Sequence, residues 1–309
     1  MLIGQAASYS KLSYAVARAR PWWGLLALLA AVAGYFGYAL LYQAVTGVAN
    51  GPRPPFRLTL LLTVAVFGAS VLATAAGRLG SEYWSLRRMR EPAPRAWSRV
   101  LAINTAEWAL LASLAFIGAL GLVAGSGHAP LGVELAWLLA PPLCAVPAAY
   151  LSAPSRGWLA EDRGGPVRRT FASAIRGLAL LRPRVSGRRA LARGLPGGLL
   201  YWAGELLTVW AALRAFGVDL GFAPLVVGYA TGYAATMLPL PAGGAGGVDA
   251  ASTYALTLVG VPLGPALLAT LVQRLCTYWL PLVVAMLAAH RIKRLGRELP
   301  QVPRPTPVA

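Results

Sequence analysis

The chain has 309 residues, 57% hydrophobic and only 12% charged, with a mean hydropathy of +0.60. A soluble domain carries about a quarter of its residues charged, so the composition excludes that class and points to an all-α, polytopic integral membrane protein. A net charge of +18 would suggest nucleic acid in a soluble chain; here the cations flank apolar runs, which excludes nucleic acid as a partner and makes anionic lipid headgroups the counter-charge.

Residues 1–21, with Lys11, Arg18 and Arg20, read as a cytoplasmic flank. The first apolar run, Trp22–Tyr42, is as long as a full span and lacks a small-residue cleavage site after it, so no cleaved leader is expected. Further apolar stretches follow at Leu58–Ala76, Val100–Ala124, Leu131–Leu151, Leu199–Phe216, Ala223–Leu240, Val248–Gly260 and Pro265–Ala289. All should be helical, because backbone facing lipid must satisfy its own hydrogen bonds. The expectation is about six to eight transmembrane helices in a membrane domain 22–290, followed by a basic cytoplasmic tail, 291–309. Pro141, Pro142 and Pro147 predict a kinked or broken fourth span.

Charge orients these spans in the cell membrane. Ten arginines lie in the 153–196 loop and six between Gly77 and Val100, and five basic residues follow His290. Those segments, and with them the C-terminus, should be cytoplasmic. The links around His128 and Asp219 should then lie outside. Two segments, Ala223–Leu240 and Val248–Gly260, must start and end outside. The second is roughly 20 Å of helix, short for a core of about 30 Å. A re-entrant hairpin fits, with its turn Leu238–Gly247 near mid-membrane; two tilted full spans with a cytoplasmic turn remain the alternative.

A weak internal repeat is legible. Gly77-Arg78-Leu79-Gly80-Ser81-Glu82 and Gly244-Ala245-Gly246-Gly247-Val248-Asp249 share Gly-x-x-Gly-x-acid, and each leads through a short helix and a proline break into a long span. Asn104 of the first long span falls where Arg274 falls in the second. The two copies run in opposite directions by charge, the arrangement of inverted-repeat transporters with broken helices.

The candidate site gathers around the second motif. Pro239 and Pro241 break the incoming helix, and Gly243, Gly244, Gly246 and Gly247 permit close backbone approach. The outgoing helix starts with its positive end free to face a phosphate, and Asp249 lies in its first turn. Arg274 lies roughly 13 Å into the last span, where an arginine must pair or line a pathway; Asp249 or Glu205 is the expected partner. Arg78 and Glu82 share a helix face near a cytoplasmic edge. Glu107 and Glu205 are pathway or satisfied core acids. No metal set or cofactor motif is present: His128 and His290 are isolated, and Cys144 and Cys276 make no redox pair.

These motifs carry a resemblance. Leu238 to Asp249, then Gly260-Val261-Pro262, then Gln273-Arg274-Leu275-Cys276-Thr277-Tyr278-Trp279 resemble the lysylphosphatidylglycerol synthase transmembrane family, also called flippase-like. That family shows a Pro-Gly-Gly-x-Gly-x-x-Glu turn, a Gly-Val break and an arginine early in the final helix. Trp202–Gly217 and the Gly77–Glu82 motif also look like it, so the resemblance covers about residues 60–290. Asp249 stands where the family has Glu, and Asn104 where an arginine is expected. The chain ends soon after the membrane region, whereas lipid-aminoacylating members carry a soluble transferase domain. The resemblance therefore implies lipid translocation rather than synthesis, with anionic or lipid-linked phosphate headgroups as ligands and a separate lipid-modifying enzyme as a conceivable partner. The alternatives are a membrane transferase acting on a lipid carrier, which would need Glu107 and Glu205 to converge, and a non-catalytic scaffold docking through the arginine-rich loop.

Overall fold

The computed structural model describes residues 20–70, 74–125, 127–161, 165–238, 246–291 and 294. Among them every regular element is helical. Four helices are long and apolar enough to cross a membrane: Pro21–Thr46, Ala93–Val123, Leu131–Leu151 and the 25-residue run Leu263–Leu287.

Helix α1 (Pro21–Thr46) opens on a proline, which costs nothing where the amide has no helical partner anyway. Three short or long helices follow: α2 (Phe56–Ser70), α3 (Thr74–Arg88) and α4 (Ala93–Val123). Then come α5 (Leu131–Leu151), α6 (Pro166–Leu180) and α7 (Pro183–Ala215). The chain finishes with α8 (Phe222–Ala234), α9 (Gly247–Leu258), α10 (Leu263–Arg274) and α11 (Leu280–Leu287).

The central pair is α1 against α7, antiparallel and joined by glycine. A Cβ on Gly37 would lie 2.4 Å from the Tyr201 amide nitrogen and 2.6 Å from the Gly197 carbonyl oxygen. One on Gly204 would lie 2.6 Å from the Ala30 carbonyl oxygen. Only glycine lets two backbones approach so closely, and in lipid that close packing drives helix association. The start of α1 thus lies beside the end of α7: Trp23 stacks edge-on to Trp210, and the Arg214 guanidinium sits 5.4 Å from the Trp23 ring. The other end of α1 lies beside the start of α4, where Arg99 donates to the carbonyls of Thr46 and Val48, each at 2.8 Å, and to Glu91 at 3.0 Å. The start of α1 and the start of α7 therefore occupy opposite ends of the bundle.

Two antiparallel hairpins of short helices flank this pair. In the first, Gly77 of α3 abuts the Ala69 carbonyl of α2, and Leu62 and Leu86 share one apolar cluster. In the second, Gly232 of α8 abuts Ser252 of α9, and Gly228 abuts Val259. At 15, 15, 13 and 12 residues, these helices reach roughly 18–22 Å, short of a membrane core of about 30 Å. The proline-glycine turn predicted to lie near mid-membrane falls, at residues 239–245, outside the described residues, and Gly243 and Gly244 with it.

Each hairpin leads into a long helix, and each long helix packs on the first helix of the other hairpin. Gly118 of α4 meets Ala223 and Val227 of α8; Ala285 of α11 meets Gly68 of α2. The two long helices thus make matching cross-contacts. The second long helix is not uniform. Between α10 and α11 the residues Leu275–Trp279 form a π turn, ending where Leu280 N–H donates to the Leu275 carbonyl. The next residue, Pro281, has no N–H to give the Cys276 carbonyl. The Tyr35 hydroxyl of α1 donates to that oxygen instead, at 2.9 Å.

Two expectations need correcting. The triple-proline span is not broken: α5 runs as one helix across Pro141, Pro142 and Pro147, with none of its residues buried. Its outward row, Leu131, Leu135, Leu139, Leu143, Val146 and Tyr150, is exposed and apolar, as a lipid-facing surface would be. Arg78 and Glu82 are not at an edge either. Because α3 folds back on α2, Arg78 reaches Glu107 in the middle of α4.

Candidate functional site

Hairpin helices and long helices enclose a cavity of about 1060 Å³. Its polar lining comes from both repeats and from α7: Arg78, Asn104, Glu205, Gln273 and Arg274. Serine, threonine, aromatic and aliphatic side chains complete the lining, among them Trp108, Tyr201, Tyr229 and Tyr233, with α5 contributing residues between Trp137 and Ala148.

The first polar knot centres on Arg78. Its guanidinium takes Glu107 with both terminal nitrogens, Nη1 at 3.0 Å and Nη2 closer. Its Nε lies 3.5 Å from Glu82, and Nη2 donates to the Tyr38 hydroxyl at 3.2 Å. Both carboxylates are fully buried. Glu82 also accepts from the Tyr38 hydroxyl and, at 2.8 Å, from the Asn104 amide; Glu107 accepts from the Tyr233 hydroxyl at 3.2 Å. A planar fork with five donors suits two acids at once, which a lysine could not match.

The second knot joins Asp249 to Arg274. Asp249 accepts the Gly246 amide at 3.0 Å, closing the first turn of α9, and its other oxygen takes Arg274 Nε. Gly246 has φ +81°, a left-handed conformation that suits glycine. Gly247 begins the helix beside it, and both glycines are exposed. Of the two partners expected for Arg274, Asp249 is the one the fold supplies. Arg274 Nη2 is buried and has no hydrogen-bond partner among the described residues, while the guanidinium carbon lies 5.0 Å from the Tyr278 ring.

Glu205 lies on α7 between these knots and is buried. It accepts from the Tyr229 hydroxyl at 2.9 Å and from the Gln273 amide at 3.1 Å. Glu107 and Glu205 belong to separate hydrogen-bond sets, so the paired-carboxylate geometry of a transferase is not what the fold builds from them. Among the described residues no cluster of three His, Cys, Asp or Glu side chains is arranged to hold a metal.

The sequence reading missed Tyr38, Tyr229, Tyr233 and Gln273. A signal existed. Tyr35, Tyr38 and Tyr42 share a helical face, as do Tyr229 and Tyr233, and hydroxyls repeated at that spacing in apolar helices imply buried acceptors. The symmetry between Asn104 and Arg274 is real in one respect: each binds the acid of its own repeat, Glu82 and Asp249.

Comparison with known proteins agrees with this architecture. The family model described as the lysylphosphatidylglycerol synthase TM region matches residues 3–285. A UPF0104 membrane protein of Methanothermobacter thermautotrophicus is 28% identical over 100 residues, which are 32% of this chain and 30% of that protein. The aligned part thus spans under a third of the relative.

Proposed function

This chain belongs to the lysylphosphatidylglycerol synthase transmembrane family, and from that premise we propose that it is a flippase-like lipid translocator whose cavity holds the phosphate of an anionic or lipid-linked headgroup. The observation that carries the reading is the buried Nη2 of Arg274 on a cavity wall, without a partner among the described residues. A buried guanidinium nitrogen without an acceptor is costly, and a phosphate oxygen is its natural complement. Asp249 fixes the other edge of the guanidinium, so Arg274 is oriented before the ligand arrives. The apolar wall of α5 lets acyl chains stay in lipid while the headgroup enters.

The proposed topology has five crossings, α1, α4, α5, α7 and α10–α11, with the two hairpins re-entering from opposite faces. The basic loop before α7 and the C-terminal tail lie in the cytoplasm. Because α1 runs antiparallel to α7, the start of α1 is then outside in this topology, the opposite of the side expected from the three cations before Trp22. In this topology Arg78 and Arg274 meet the cavity near mid-membrane, and Asp249 holds Arg274 there.

The test is translocation of a fluorescent phosphatidylglycerol in reconstituted liposomes, read by chemical quenching of the outer leaflet. Arg274→Ala is expected to slow transfer at least tenfold. Transfer at the wild-type rate by a folded Arg274→Ala protein would refute the site.

A further inference from the structure

We infer that Glu205 is a proton-binding site linked to the headgroup site, so that an anionic lipid enters the cavity together with a proton. The inference rests on the translocator reading and adds the ion that accompanies the lipid.

Four carboxylates stand in or beside the cavity: Glu82, Glu107, Glu205 and Asp249. Two guanidinium groups face them. Arg78 is engaged by Glu82 and Glu107, and Arg274 by Asp249. Glu205 is held by neutral donors instead. Tyr229 and Gln273 both reach Oε2, and among the described residues no donor reaches Oε1. The titratable groups facing it are Tyr35 of α1, Arg78 of α3, Tyr201 of its own helix, Tyr229 of α8, and Arg274 and Cys276 of the last helix. The only cations in that set are the two arginines already bound to other acids.

A phosphodiester docking on Arg274 brings one more negative charge next to Glu205. Buried like charges cannot all stay ionised without a compensating cation. A proton on Glu205 supplies it, and the cavity wall gives water a route to the carboxyl group. No bond other than O–H forms: the proton comes from water on the side the lipid leaves and returns to water on release. Neutral Glu205 can keep accepting from Tyr229 and Gln273 while donating into the cavity from Oε1, so protonation needs no rearrangement of its neighbours.

The experiment uses the full chain in detergent with short-chain phosphatidylglycerol as the probe. Binding is followed by the change in tryptophan fluorescence, to which the cavity-lining Trp108 and Trp137 contribute, and proton uptake by a pH dye in weak buffer. The wild type should take up about one proton per lipid bound, and its Kd should rise up to tenfold per pH unit on the alkaline side. Glu205→Gln should bind without uptake and with a flat profile, and Glu205→Asp should restore both signals. Lipid binding by the wild type with no uptake and a flat profile overturns the inference and leaves the headgroup site standing. Uptake that survives in Glu205→Gln overturns it by placing the proton elsewhere. No binding of the probe at any pH sinks the headgroup reading, and the inference with it.

Discussion

Replacing Arg78 by methionine keeps an unbranched apolar stem and removes the charge, and the structure sets the size of the effect. Breaking one buried ion pair by removing a partner costs about 3–5 kcal/mol. Here two fully buried carboxylates lose their cation together, which pushes towards the upper end. The hydroxyls of Tyr38 and Tyr233 and the Asn104 amide remain on the acids and offset part of the loss. We expect about 4 kcal/mol of destabilisation for Arg78→Met, built from those two terms. Arg78→Lys should cost about 2 kcal/mol, because a lysine keeps the charge but cannot fork between Glu107 and Glu82. Adding Glu107→Gln to Arg78→Met should recover about 2 kcal/mol, since one unpaired charge disappears. The assay is SDS-titrated unfolding of the purified protein in mild detergent, followed by tryptophan fluorescence, across the full double-mutant cycle. A cost below about 1 kcal/mol for Arg78→Met, or a double mutant no better than the sum of its parts, would refute the account of this knot as an ion-paired core.

Other consequences follow from single contacts. Gly37→Ala places a methyl group against backbone atoms of α7 that no rotamer change can clear, so it should cost about 1–3 kcal/mol; Gly24→Ala, with nothing within 4 Å, is the control and should unfold like the wild type. Arg99→Ala strips the donors from the Thr46 and Val48 carbonyls and leaves Glu91 buried without its cation, and a loss of about 3–5 kcal/mol is expected in the same unfolding assay. In a background without Cys144 and Cys276, Arg20→Cys and Asp219→Cys should react with an impermeant thiol reagent on intact cells, whereas Arg168→Cys should react only after permeabilisation. Labelling of Arg20→Cys from the cytoplasmic side alone would contradict either the antiparallel packing of α1 on α7 or the charge-based orientation.

What the sequence determined by itself was whatever depends on local pattern. Long apolar runs dictated helices because lipid leaves the backbone no other partner, and Leu131–Leu151 was placed to the residue. The Gly-x-x-Gly-x-acid pair and the arginine in the last helix marked the family and half of the site. Tertiary structure decided the rest, because it turned on distances between segments far apart in the chain. Arg78 read as an edge residue since charge near a basic loop resembles a cytoplasmic flank; folding α3 back on α2 carried it to Glu107 instead. The prolines of α5 read as breaks since a missing amide hydrogen usually ends a helix, yet the helix runs through all three. That the start of α1 lies beside the Arg214 end of α7 rests on glycine-tight contacts between segments distant in the chain, which no local pattern carries. The pairing of Tyr229 and Gln273 with Glu205 lay beyond any sequence pattern, because hydrogen bonds between helices depend on where three separate backbones come to rest.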